Sequence, residues 1–211
     1  MPKYILCLLF VLCAPTLVMA RTTWEGDSST DFFDAGYWDN GLPHDGAGTK
    51  MTRAGANPTY QPTLENGSVT TLWYEVTHGV EFTIGTNGVF NVLGTSDSSS
   101  MAQAAGSTGT INLVDNGRIV SPSSYNAWEG DAFINMSGTS SWFSDVPGQP
   151  WTLGHWDDSP PPRTGVATMI MSDDSMLTVT SGNFRIPDPG YSSLLHYQEF
   201  FNSERQFQGY S

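Results

Sequence analysis

The sequence predicts an all-β chain: a short right-handed β-solenoid, or β-helix, behind an N-terminal aromatic cap. Three observations predict it. Gly, Pro, Ser, Thr, Asn and Asp recur every few residues and leave almost no helical periodicity. The runs between them alternate apolar and polar residues, as in Val80-Glu81-Phe82-Thr83-Ile84 and Thr110-Ile111-Asn112-Leu113-Val114. A motif of apolar, any, apolar, any and a three-residue polar turn begins at positions 90, 111, 134 and 169.

The starts of that motif lie 21, 23 and 35 residues apart, and a second short strand follows the last three copies at 118–121, 141–144 and 176–179. Such spacing suits the coils of a solenoid, with insertions between some coils. Inward side chains of successive coils then stack into one elongated core. Ile111, Ile119 and Ile134 are expected to point inward, and Trp142 to belong to the core. Asn and Gly in the turns suit corners, because both accept a left-handed backbone. The competing architecture is a β-sandwich, whose strands also recur every 8 to 12 residues or about that. Sandwich strands have no reason to share one turn motif. A helix is expected only at 193–203.

The chain opens like an exported protein. Lys3 supplies a positive charge, residues 4–18 are almost wholly apolar, and Val18-Met19-Ala20 resembles a cleavage site. Together these mark residues 1–20 as a secretory signal peptide. The apolar run is shorter than the roughly 20 residues a membrane span needs, and no later segment approaches that length. Both cysteines, Cys7 and Cys13, lie in this leader. The mature chain is therefore expected to lack disulfides and thiolate metal sites. About 190 residues remain, enough for one sizeable core. A net charge of -13 disfavours nucleic acid and anionic membranes as partners. The expected organisation is a signal peptide (1–20), a capping segment (21–62), solenoid repeats (63–190) and a C-terminal tail (191–211) that ends abruptly, as a truncated chain would. The expected location is outside the cell or on its surface.

The end coil of a solenoid exposes unpaired backbone and an apolar cross-section. Trp24, Phe32, Phe33, Tyr37 and Trp38 offer the large apolar faces to cover it. The alternative use of such a cluster is a platform for sugar rings.

Trp24-Glu25-Gly26, the stretch Phe33-Asp34-Ala35-Gly36-Tyr37-Trp38-Asp39-Asn40-Gly41-Leu42-Pro43 and Asp45-Gly46-Ala47 resemble the opening of large exported bacterial β-helix proteins. These are autotransporter-passenger-like and abundant in planctomycete-type bacteria. Residues 109–117 resemble their coils, and Ser181-Gly182-Asn183-Phe184-Arg185-Ile186 their coil-closing phrase. The resemblance covers roughly residues 22–187 and implies architecture more than activity.

Catalytic motifs are not evident. There is no Gly-x-Ser-x-Gly elbow, His-Glu-x-x-His pair, phosphate loop or dinucleotide fingerprint, and the four histidines stand apart at 44, 78, 155 and 196. Two long loops are expected at 97–108 and 145–165. The second combines Trp151, His155, Trp156, Asp157 and Asp158 with the stiff run Pro160-Pro161-Pro162. These five residues are the candidate ligand site: the indoles for sugar faces, the carboxylates for hydroxyls or a cation. The structural alternative is that both Trp fold back over the solenoid. Asp173 and Asp174, in an expected corner, are candidate metal ligands, with calcium as the cation they would suit. No organic cofactor is expected. The expected function is a secreted or cell-surface structural and adhesive protein, without catalysis. The alternatives are a carbohydrate-binding module or a polysaccharide-active β-helix enzyme. Extracellular polysaccharide or other cell-surface components are the expected partners.

Overall fold

The computed structural model describes residues 20–26, 28–52, 59–94, 99–144, 150–154, 165–180 and 183–185. Seventeen strands and one short 3-10 turn, Ala35–Tyr37, make up its regular structure, with no α-helix among the described residues. The strands form three sheets, one on each face of a stack of coils. The first face carries β3 (Thr63–Leu64), β6 (Val80–Ile84), β9 (Thr108–Leu113), β12 (Asp131–Met136) and β15 (Ala167–Met171). The second carries β4 (Ser68–Thr71), β7 (Val89–Val92), β10 (Arg118–Val120), β13 (Ser141–Ser144) and β16 (Met176–Val179). The third carries β1 (Ala20–Thr23), β2 (Ala47–Met51), β5 (Tyr74–Val76), β8 (Ser100–Met101), β11 (Ser124–Asn126), β14 (Pro150–Leu153) and β17 (Asn183–Arg185).

Each coil visits the three faces in turn, so every strand pairs with its counterpart one coil away, always in parallel. This is a β-solenoid. A sandwich of antiparallel sheets would pair strands that are neighbours in sequence.

Alternation places one side chain in two inside. On the first face Phe82, Ile111, Ile134 and Met169 lie in register, and so do Leu64, Ile84, Leu113, Met136 and Met171. On the second face Val69, Phe90, Ile119, Trp142 and Leu177 form the matching column. Ile111, Ile119, Ile134 and Trp142 are all buried, as expected. Each such side chain contributes about 1.5–3 kcal/mol by leaving water.

Two expectations need correction. The motif copy at 90 is not the counterpart of the one at 111. Phe90 pairs with Val69 and Ile119 on the second face, while the residue in register with Ile111 is Phe82. Every face repeats the same in-and-out alternation, so the pattern alone does not identify the face. The two expected loops are also partly strand. Residues 97–108 contain β8, and 145–165 contain β14, both in the third sheet. Residues 155–164, the expected helix at 193–203 and the tail at 191–211 lie outside the described residues.

The corner between the first and second faces explains the Asn, Asp and Gly of the turn motif. Asn66, Asn87, Asp115, Gly138 and Asp173, one per coil, all have φ between 50° and 67°. Asn, Asp and Gly tolerate this conformation best. The corners also bond to one another: Asn116 Nδ2 donates to Asn87 Oδ1 at 2.7 Å, and Thr86 Oγ1 to Asp115 Oδ2 at 3.0 Å. Gly88 and Gly117 close the same corner against the preceding coil. A Cβ there would sit 2.2 Å from the Leu64 carbonyl oxygen and 2.0 Å from that of Ile84, respectively.

The aromatic segment is a cap. Trp24, Phe32 and Trp38 are buried, and Phe33 and Tyr37 pack against them. Phe32 meets Trp38 at 4.8 Å between ring centroids and Phe82 of the second coil at 5.3 Å. The indole N–H groups of Trp24 and Trp38 donate to the carbonyls of Tyr60 and Phe32. The segment does more than plug the end, because β1 and β2 extend the third face beneath it. No helix among the described residues is long and apolar enough to cross a membrane.

Candidate functional site

The three faces differ in what they leave for a ligand. On the third face, Glu75, Ser100 and Thr152 alternate with core residues and so point away from the core, yet all three are buried. Glu75 is paired with Lys50 at 2.9 Å. The outer side of this sheet is thus partly covered, with Thr23, Lys50 and Tyr125 of the same column half-buried. Its interior is mixed: Met51, Val76, Met101, Trp151 and Leu153 are buried apolar residues, and among them Tyr74 donates to Ser124 Oγ at 2.6 Å, Ser124 to Asn126 Oδ1 at 3.0 Å, and Asn126 Nδ2 to the Thr152 carbonyl at 2.7 Å. Burial pushes the Tyr74 phenol well above its ordinary range, against the opposing effect of the Ser124 hydrogen bond. It stays neutral and structural.

The second face is open. Alternation sends two columns outward: Ser68, Val89, Arg118, Ser141 and Met176, and beside them Thr70, Asn91, Val120, Phe143 and Thr178. All ten are half-buried or exposed. Among the 21 acidic residues of the chain, none lies in these five strands. The first face also looks outward, but carries Glu81 and Asp131 within its strands.

A cleft of about 440 Å³ opens where the cap meets the start of the second face. Phe33, Leu42, Pro43 and Leu93 give it apolar walls, and His44, Asp45, Ser68 and Thr70 give it polar ones. Phe33 is held by close packing on Gly67, where a Cβ would come within 2.5 Å of its ring. Leu93 is 54% exposed, a large apolar surface left to solvent at the end of β7. His44 Nδ1 accepts the Gly46 N–H at 3.1 Å, so the neutral ring carries its proton on Nε2 as a donor. The side chains of His44 and Asp45 are 58% and 78% exposed and 3.9 Å apart, so they interact weakly. Ser68 Oγ accepts from Asn91 Nδ2 at 3.0 Å and keeps its own proton to donate.

The residues singled out from sequence fare differently. Trp151 is fully buried in β14, edge-on to Trp142 at 5.3 Å and 88°. It belongs to the core, and the expectation that it presents a ligand face is corrected. Its indole points inward, in register with the buried Ser124 of the preceding coil. His155, Trp156, Asp157 and Asp158 lie outside the described residues. Asp173 has a structural task in its corner, where its carboxylate accepts the Gly138 N–H at 3.1 Å and the Ser172 hydroxyl at 3.2 Å. Asp174 is exposed beside it. Among the described residues no three His, Cys, Asp or Glu side chains come together as a metal site.

Sequence reasoning missed the cleft. Phe33 was legible only as a cap aromatic, and Leu93 only as the fourth residue of a repeat motif. Their meeting depends on how the cap folds back onto β4. Set against protein-family models, curated proteins and solved structures, the chain matches none of them.

Proposed function

We propose that the chain is an exported protein, secreted or held at the cell surface, whose solenoid is a rigid structural and adhesive element. The observation that carries this reading is the stack of five three-sided coils in parallel register, sealed at one end by aromatic rings. Such a stack is a stiff rod, each coil resting on its neighbours. The leader-like residues 1–20 and the charge of -13 support a place outside the cell, where self-repulsion keeps the rods apart in solution. The reading assigns the protein no catalytic step.

Expression with the native N-terminus, followed by fractionation and terminal-peptide mass spectrometry, tests the export. The mature protein is expected outside the cytoplasm with Arg21 as its first residue. Retention in the cytoplasm with residues 4–18 intact would sink the reading. A deletion strain should also adhere less to surfaces than its parent. A second reading, a carbohydrate-binding module, is favoured by the mixed apolar and hydroxyl lining of the cleft beside the cap.

A further inference from the structure

We propose that the outer surface of the second face, entered from the cleft beside the cap, is a track for a straight, neutral, β-linked polysaccharide chain lying along the solenoid axis. The proposal rests on the adhesive reading above and names the partner of that adhesion.

Geometry is the first support. The outward columns of the second face are in register through all five coils. Successive rungs lie about 4.8 Å apart, so the track runs without a break for roughly 19 Å from β4 to β16. An extended glycan can meet each rung in turn, whereas a coiled one leaves the surface after a few units.

The chemistry of the rungs is the second support. Along one column Thr70 and Asn91 are followed by Val120 and Phe143, and then by Thr178. A pyranose ring has C–H faces that pack on apolar and aromatic side chains, and hydroxyl edges that bond to hydroxyl and amide groups. The column offers both. The cleft continues it, because Ser68 and Thr70 belong to both the cleft and the track. There Phe33 and Leu93 supply the apolar walls.

Charge selects the partner. The five strands hold no carboxylate, and Arg118 is their one ionic side chain. Acids flank the face instead, at the corner positions Glu65, Asp115, Asp173 and Asp174. A uronate polymer would meet these acids and the net charge of -13, while a neutral glycan is indifferent to them. A second copy of the chain would bring the same negative charge, which opposes self-association through this face.

The test uses the secreted protein and co-sedimentation with insoluble cellulose, mannan and xylan, with starch as the coiled control and alginate as the anionic one. Retention on at least one of the three β-linked glycans, and on neither control, is expected. Phe143→Ser and Leu93→Ser should each weaken it by about tenfold, roughly the loss of one apolar contact. Phe133→Ser, on the first face, should leave retention unchanged, and all three variants should melt close to the parent. No retention on any β-linked glycan, binding to starch or alginate, or equal weakening by Phe133→Ser would overturn the proposal. So would a dimer in sedimentation equilibrium that Phe143→Ser dissolves. Cell adhesion measured on the same variants separates the two readings. Adhesion without glycan retention removes the polysaccharide and leaves the adhesive role. A parent protein that gives no adhesion removes the adhesive role itself.

Discussion

The first and third faces of the solenoid solve the same packing problem by opposite means. On the first face, Val80, Phe82 and Ile84 fill the interior and Glu81 and Thr83 face out. Stability there comes from apolar burial, which is non-directional and tolerant of small shifts. On the third face, the inward residues of one coil are the polar Ser124 and Asn126, both buried, while Tyr125 between them is half-buried. That coil is held by a directed chain of hydrogen bonds from Tyr74 through Ser124 and Asn126 to the Thr152 carbonyl. A satisfied polar network in a low-dielectric interior fixes register, but each member is costly to orphan. One solenoid thus has an apolar wall that provides adhesion between coils and a mixed wall whose polar network specifies their alignment.

The largest expected effect tests the apolar wall. Ile134 is buried between Ile111 and Met169. Ile134→Asp places an unpaired charge there and should cost about 3 kcal/mol or more, enough to unfold a marginal domain. Circular dichroism through a thermal ramp reads it, and an unchanged melt would mean that this residue does not face the core.

A smaller effect tests the polar network. Asn126→Ala removes the acceptor of the Ser124 hydroxyl and the donor to the Thr152 carbonyl. Stranding those buried groups should cost about 1–3 kcal/mol. Denaturant unfolding would show it as a lower midpoint at unchanged slope. If Asn126→Ala were neutral, the comparison between the faces would lose its basis.

The smallest effect sharpens the comparison at the corner that leads into the third face. Ser123 Oγ is buried and makes no hydrogen bond among the described residues. Ser123→Ala removes no partner and should change stability by less than about 0.5 kcal/mol, or raise it slightly. A loss as large as that of Asn126→Ala would reveal a bond that this hydroxyl makes.

The same contrast explains what was legible beforehand. Strands of the first two faces announce themselves by alternation, and the corner residues Asn66, Asn87, Asp115, Gly138 and Asp173 by their tolerance of positive φ. The third face was hidden. Ser100-Met101 falls in an expected loop, and no expected strand covers Ser124-Tyr125-Asn126, because Ser and Asn usually compete with strand structure through local hydrogen bonds. Trp151 was a ligand candidate because its strand lies inside an expected loop; of the two readings left open for it, the structure has the buried one. The cleft was hidden more deeply, since it joins Phe33, His44, Ser68 and Leu93 from four separate stretches of chain.

Local sequence determined that this chain forms short strands, where its tight corners fall and which aromatic residues close its end. Those outcomes depend on residues a few positions apart, through alternation, backbone tolerance and bulk. Only the tertiary structure decided that Phe82 rather than Phe90 stacks on Ile111, that a third sheet with a partly polar interior completes each coil, and that Trp151 is core. Those outcomes depend on partners a full coil away. From Leu64 through Ile84, Leu113 and Met136 to Met171 the spacing runs 20, 29, 23 and 35 residues, too irregular to read as a period. Ser124 becomes a core residue because Tyr74, two coils away, supplies a hydrogen bond that water would otherwise supply.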